Sequence, residues 1–139
     1  MSLELATIAI ESAMAATENV TSPMNIAIVD SGAHLVSFAR MDGAWLGSVD
    51  ISIRKAKTAV LFSQGGSPGL SSGQIGGLSQ PGGTLYGIER SNGGLITFPG
   101  GIPIFNENGK LIGAIGVSGD TVKNDEMIAK AGKESIERY

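Results

Sequence analysis

The chain has 139 residues, with 42% hydrophobic and 17% charged side chains and a formal charge of −3. That composition excludes a disordered chain and suits one domain, 1–139. The absence of cysteine excludes disulfides, thiolate metal sites and cysteine nucleophiles. No basic stripe is present and aromatic residues make up only 5%, so no nucleic-acid partner is expected. The charged share lies below the roughly 25% usual for soluble domains, which hints at self-association. No apolar run is long enough to cross a membrane, and Met1–Leu5 lacks the basic start of a secretory signal. A soluble, cytoplasmic homo-oligomer is the expectation.

Residues 3–18 combine helix formers with no Gly or Pro, and Leu5, Ile8, Ser12 and Ala15 follow helical spacing, with Ala9 and Ala16 filling the same face. Met24–Asp30 and Ala33–Met41 read as two strands joined at Ser31-Gly32. A period of two places His34, Val36, Phe38 and Arg40 on one face of the second strand. Ser48–Phe62 reads as a helix with Ser48 as N-cap and Asp50 at the positive end of its dipole. Ile51, Ile53, Ala56, Ala59, Val60 and Phe62 span one broad arc, and Lys55 falls on it. Either the stem of Lys55 carries its ammonium out to water, the ordinary outcome, or the side chain points into a pocket.

Residues 63–101 are rich in Gly, Ser, Gln and Pro, too glycine-laden for a helix over 71–78. A connection this long is usually functional or interfacial, and Leu95–Phe98 reads as a short strand leading out of it. Ile102–Phe105 and Leu111–Val117 form a hairpin around Asn108-Gly109. Antiparallel pairing sets Pro99-Gly100-Gly101 beside Gly116–Gly119 at one end of the sheet, where backbone N–H groups could hold a ligand. The alternative is that these glycines serve close helix packing. A last helix runs from an N-cap at Asn124 to about Arg138, with an apolar face weakened by Gly132. Hairpins alternating with helices give an α+β fold, an antiparallel sheet flanked by helices.

His34 is the only histidine and could serve as a base or as a metal or haem ligand. With no cysteine and one histidine, no resident metal site is expected. Arg40, Asp42 and Lys55 form the most interesting polar set. They could hold a carboxylate or phosphate, although an internal Arg40–Asp42 ion pair is the plainer outcome. Gly113–Gly119 lacks both the P-loop lysine and the G-x-G-x-x-G spacing. A Ser118 nucleophile would have only His34 as its base.

Four blocks in order, M-N-I-A-I-V-D-S-G-A-H-L-V-S-F-A-R-M-D-G-A (24–44), K-A-K-T-A (55–59), F-P-G-G-I-P-I (98–104) and G-A-I-G-V-S-G-D (113–120), resemble the GlcG/HbpS family, also labelled a haem-degrading domain. The resemblance spans about Met24 to Lys133. It implies a profilin-like sandwich, assembly as dimers or higher homo-oligomers, octamers among them, and a small-molecule ligand that in some members is haem or another tetrapyrrole. By resemblance Arg40, Asp42, Lys55, Pro99, Gly100, Gly101, Ile102, Gly116, Val117, Ser118 and Gly119 line a pocket near a subunit interface. No Met, His or Tyr lies in 98–104, so a side-chain axial ligand would come from elsewhere, such as His34. The other function compatible with these residues is a cofactor-independent enzyme acting on a small organic acid or ketone. In it Lys55 would be base or Schiff-base amine, Arg40 the anchor and Asp42 its neighbour.

Overall fold

A computed structural model describes residues 1–139. Helix α1 (Leu3–Ala16) is followed by strands β1 (Asn25–Asp30) and β2 (Leu35–Arg40), then helices α2 (Gly47–Leu61) and α3 (Ser72–Leu78). Strands β3 (Gly101–Phe105) and β4 (Leu111–Ser118) and helix α4 (Val122–Ile136) complete the chain. The four strands form one antiparallel sheet in the order β2-β1-β4-β3. This is the α+β fold expected from alternating hairpins and helices. α1 and α4 cover one face and α2 covers the other.

The main core lies under α1 and α4. Ile26, Ile28, Ile104, Ile115, Val117, Ile128 and Ile136 meet there, all fully buried. Each such aliphatic side chain contributes about 1.5–3 kcal/mol on leaving water. Ala6, Ala9, Ile10 and Ala13 are the buried positions of α1; Ala9 lies on the expected face and Leu5, Ile8 and Ala16 pack half-buried against the same core, but Ala15 is exposed, so the inward face is centred to one side of the expected stripe. The cause is Gly132 on α4. A Cβ there would stand 2.9 Å from the Ala9 carbonyl oxygen and 2.5 Å from Ile115. Gly132 therefore lets the two helices touch through small residues instead of weakening the face.

The opposite layer depends on the same device. The buried face of α2 is Ser48, Ser52, Lys55, Ala56, Thr58, Ala59 and Val60, while Ile51, Ile53 and Phe62 sit half-buried at its flanks. A Cβ on Gly116 would lie 2.0 Å from the Ser52 carbonyl oxygen, and one on Gly101 would lie 2.1 Å from that of Lys55. The helix backbone thus rests on glycines of β3 and β4.

Several local expectations are corrected. Leu95–Phe98 is not a strand; it runs beside α2, with the Ile96 N–H donating to Thr58 Oγ1 at 3.3 Å. Residues 72–78 are helical despite their three glycines, because Ser71 and Gln74 close a capping box. The N-terminus of α2 has Leu46 as its cap residue with no side-chain hydrogen bond, which leaves Ser48 inside the helix. Thr121, not Asn124, caps α4, accepting from the Asn124 N–H. A register shift opposite Ile28/Val29 bulges β2 and turns Val36 towards the α1/α4 core with Ala39 and Met41.

The long connection is stitched down rather than loose. Arg54 Nη1 donates to the Gly93 and Gly94 carbonyls at 2.7 and 2.8 Å. Ser72 Oγ donates to the Phe98 carbonyl at 2.7 Å and accepts the Gly101 N–H at 2.9 Å. Ile75 and Leu95 are buried.

Candidate functional site

The glycine-bearing ends of β3 and β4 do meet. Gly101 pairs with Gly116, and the Val117 N–H donates to the Gly100 carbonyl at 2.9 Å. Lys55 reaches across from α2 into this corner. Its side chain is wholly buried, so the stem does not carry the ammonium to water. Nζ donates to the Val117 carbonyl at 2.8 Å and to Asp125 Oδ2 at 3.0 Å. It also lies 5.0 Å from the centroid of the Phe98 ring, a cation–π contact.

The other Asp125 oxygen accepts the Asp120 N–H at 2.9 Å. Burial pushes the Lys55 ammonium below the usual lysine range, against the opposing charge of Asp125. Burial likewise pushes the Asp125 carboxyl up, against the charge of Lys55. Both partners are strained towards neutrality and hold their charges through one another.

The close approach explains Gly100 and Gly101. A Cβ on Gly100 would stand 2.7 Å from Lys55 Nζ. Gly100 has φ +132, a conformation that suits glycine. Gly116, Ser118 and Gly119 are packed too: Ser118 Oγ donates to Ser48 Oγ at 3.0 Å, and a Cβ on Gly119 would meet the Pro23 carbonyl oxygen at 2.6 Å. Within one subunit Gly100, Gly101 and Val117 thus close around Lys55, while Gly116 and Ser118 pack on α2 and Gly119 on Pro23.

Arg40 and Asp42 lie elsewhere at the same end of the sheet. Arg40 stands in register with Asn25 of β1, which stands in register with Ser118 of β4. Arg40 and Asp42 are both exposed and form no ion pair, contrary to the plainer expectation. Lys55 therefore does not join them. Beside them, the Trp45 carbonyl accepts from Asn25 Nδ2 at 2.9 Å, while Trp45 and Leu46 are left 68% and 74% exposed. Asn25 Oδ1 is buried with no hydrogen-bond partner.

His34 lies at the other end of β2, in the hairpin turn. Its side chain is 81% exposed, with Nδ1 3.4 Å from Asp30 Oδ1. The backbone N–H of His34 holds the Asp30 carboxyl below its usual range. The six residues of β2 separate His34 from Arg40 by about 20 Å.

The sequence reading missed Asp125 as the partner of Lys55. One signal for it exists: a lysine on an apolar arc requires a buried carboxylate. Trp45 and Leu46 were also missed, and nothing in the sequence marks them as exposed.

These features can be set beside known proteins. A family model described as haem degrading protein HbpS-like matches residues 1–134. The chain is 39% identical over 112 residues to an uncharacterized 15.0 kDa protein in the dhaT-dhaS intergenic region of Citrobacter freundii, covering 80% of this chain and 74% of that one. It is 33% identical over 120 residues to the corrinoid adenosyltransferase PduO of the same organism, covering 86% of this chain and 34% of PduO, so it spans about a third of that protein. Among solved structures, the PduOC:heme complex superposes with a TM-score of 0.87 at 29% identity, over 98% of this chain and 94% of that one. Klebsiella pneumoniae ORFY superposes with a TM-score of 0.86 at 31% identity, over 97% and 89%. A double mutant of HbpS from Streptomyces reticuli gives 0.79 at 29% identity, over 96% and 85%. The chain belongs to the HbpS-like family.

Proposed function

We propose that this protein binds haem or another tetrapyrrole at the Arg40 end of the sheet, in a site that two subunits build together. The observation that carries the reading is the likeness, over nearly the whole chain, to a PduOC structure solved with haem. The chemistry of the exposed residues agrees with it. A tetrapyrrole is a flat apolar ring with acidic side groups. It asks for an aromatic or aliphatic platform, a cation for its carboxylates and, when it carries iron, an axial ligand.

Trp45 and Leu46 supply an exposed platform. Arg40 next to them has no carboxylate partner and is free to meet an acidic group. His34 presents an exposed imidazole, one nitrogen of which faces Asp30 and leaves the other available. A carboxylate behind a ligating histidine fixes its orientation and raises its basicity. His34 would therefore hold the metal, Arg40 the acidic edge, and Trp45 and Leu46 the ring. The bound group would supply its own redox and ligand chemistry.

The test is a titration of the purified protein with haem, followed by Soret absorbance. A shifted band that saturates at fixed stoichiometry, and is lost in His34→Ala, is the expected result. A broad change that never saturates would refute the reading.

A further inference from the structure

The chain contains two Asn-Gly pairs, Asn92-Gly93 and Asn108-Gly109. Each asparagine is exposed in a turn, and the tetrapyrrole reading uses neither. Both pairs carry the same latent reaction, attack of the glycine nitrogen on the side-chain amide carbon that precedes it. The fold treats them differently.

Asn108-Gly109 is held at the reacting atoms. The Gly109 N–H donates to the Asn106 carbonyl at 2.9 Å. Asn106 Oδ1 accepts the Asn108 and Lys110 N–H groups, each at 3.0 Å. The Asn106 N–H then closes the hairpin on the Lys110 carbonyl at 2.9 Å. The Gly109 nitrogen reaches the Asn108 amide only when this end of the β3–β4 hairpin opens.

Asn92-Gly93 is held only at its flanks. The Gly94 N–H donates to the Ser91 carbonyl at 2.9 Å, which closes a tight turn. Its two central residues have φ +54 and +75, the conformation that selects Asn-Gly. Arg54 Nη1 holds the Gly93 and Gly94 carbonyls. The Gly93 N–H itself has no hydrogen-bond partner. The Asn92 side chain makes one contact, from Nδ2 to Ser91 Oγ at 3.0 Å.

We propose that Asn92 is a site of spontaneous covalent modification, by deamidation, and that the fold protects Asn108 from the same fate. The Gly93 nitrogen bonds to Asn92 Cγ and gives up its proton, and the side-chain nitrogen leaves as ammonia. Water opens the resulting cyclic imide at either carbonyl, leaving aspartate or isoaspartate at position 92. Nothing is oxidised or reduced. The product carries one negative charge more than the formal −3 of the chain. Isoaspartate also inserts a methylene into the main chain ahead of Gly93, so the two carbonyls no longer both reach Arg54. That clamp ties the long connection to α2, and the segment carrying Tyr86, 69% exposed, loosens with it.

The test is slow ageing of the full-length protein in warm, mildly alkaline buffer, followed by peptide mass spectrometry. Cleavage after Glu89 and Glu107 puts Asn92 and Asn108 on separate peptides. In the folded protein Asn92 is expected to convert about five- to tenfold faster than Asn108, the factor that one engaged turn hydrogen bond at the nucleophile brings. In urea, where both turns are lost, the two rates should converge. An Asn108 rate equal to that of Asn92 in the folded protein, or the same ratio of rates with and without urea, would overturn the proposal.

A second arm tests the consequence. The acidic ageing product is separated by ion exchange, and its cleavage by chymotrypsin at Tyr86 is compared with that of Asn92→Asp, which has the charge without the added methylene. Faster cleavage of the isoaspartyl form alone is expected. Equal cleavage of the two would refute the loosening of the Arg54 clamp. Asn92→Gln, with a longer side chain, should form the acidic product several-fold more slowly; an unchanged yield would place the reaction elsewhere.

Discussion

Removing the carboxylate of Asp125 isolates the largest electrostatic commitment in the fold. In Asp125→Ala the Lys55 ammonium keeps only the Val117 carbonyl and the Phe98 ring. A buried charge stripped of its partner costs about 3–5 kcal/mol. An independent ceiling follows from letting the lysine give up its proton. From its ordinary value of 10.5, neutralisation at pH 7 costs about 1.36 kcal/mol for each of 3.5 units, or about 4.8 kcal/mol. The two figures agree, so the variant should lose about 3–5 kcal/mol in urea unfolding at pH 7. The pH dependence carries the signature. Between the depressed folded pKa of Lys55 and 10.5, the unfolded chain binds one proton more than the folded one. Stability of Asp125→Ala should therefore rise with pH, by up to about 1.4 kcal/mol per unit, until 10.5 is passed. The double variant Lys55→Met/Asp125→Leu removes both charges at similar volume. It should recover most of the loss and show no such rise. A single variant that loses under about 1 kcal/mol, or a double variant no better than the single, would refute the account of a mutually dependent buried pair.

Three further outcomes follow. Gly116→Ala places a Cβ 2.0 Å from the Ser52 carbonyl oxygen; α2 must lift, and about 3 kcal/mol should be lost in urea unfolding, at the upper end for overpacking. Thr121→Ala removes the side-chain cap of α4 and should cost about 1 kcal/mol, measurable as a shift in thermal midpoint. Phe98→Ala opens the corner over Lys55; it should cost about 0.5–2 kcal/mol for the cation–π contact and make Lys55 newly reactive to an amine-acylating reagent, read by peptide mass spectrometry.

The sequence made the sheet legible because hairpin turns and apolar alternation are local. Ser31-Gly32 and Asn108-Gly109 both sit in turns between paired strands. Helix faces were less legible. α1 and α2 bury their small residues, and hydrophobic periodicity ranks Ile and Leu above Ala and Ser. What would have revealed the true face of α2 is Ser48, Ser52, Ala56 and Ala59 spaced three and four apart, opposite the glycines of β3 and β4. Lys55 was visible as an anomaly on an apolar arc, but its resolution depended on Asp125, 70 positions away. No local pattern encodes that contact. Arg40, Asp42 and Lys55 looked like one set because they are near in sequence. The structure puts the first two outside and the third inside.

That separation bears on where chemistry can occur. Solvent does not reach Lys55, and its donors are engaged by Val117 and Asp125. To act as a base or Schiff-base amine it would have to break a buried ion pair and displace Phe98, at a cost similar to that of removing Asp125. Arg40 and His34 carry no such burden, being exposed already. Their difficulty is distance, about 20 Å along one strand. Under the tetrapyrrole reading a ligand that meets both must draw them from two subunits, and a protein that stays monomeric while saturating with haem would refute it.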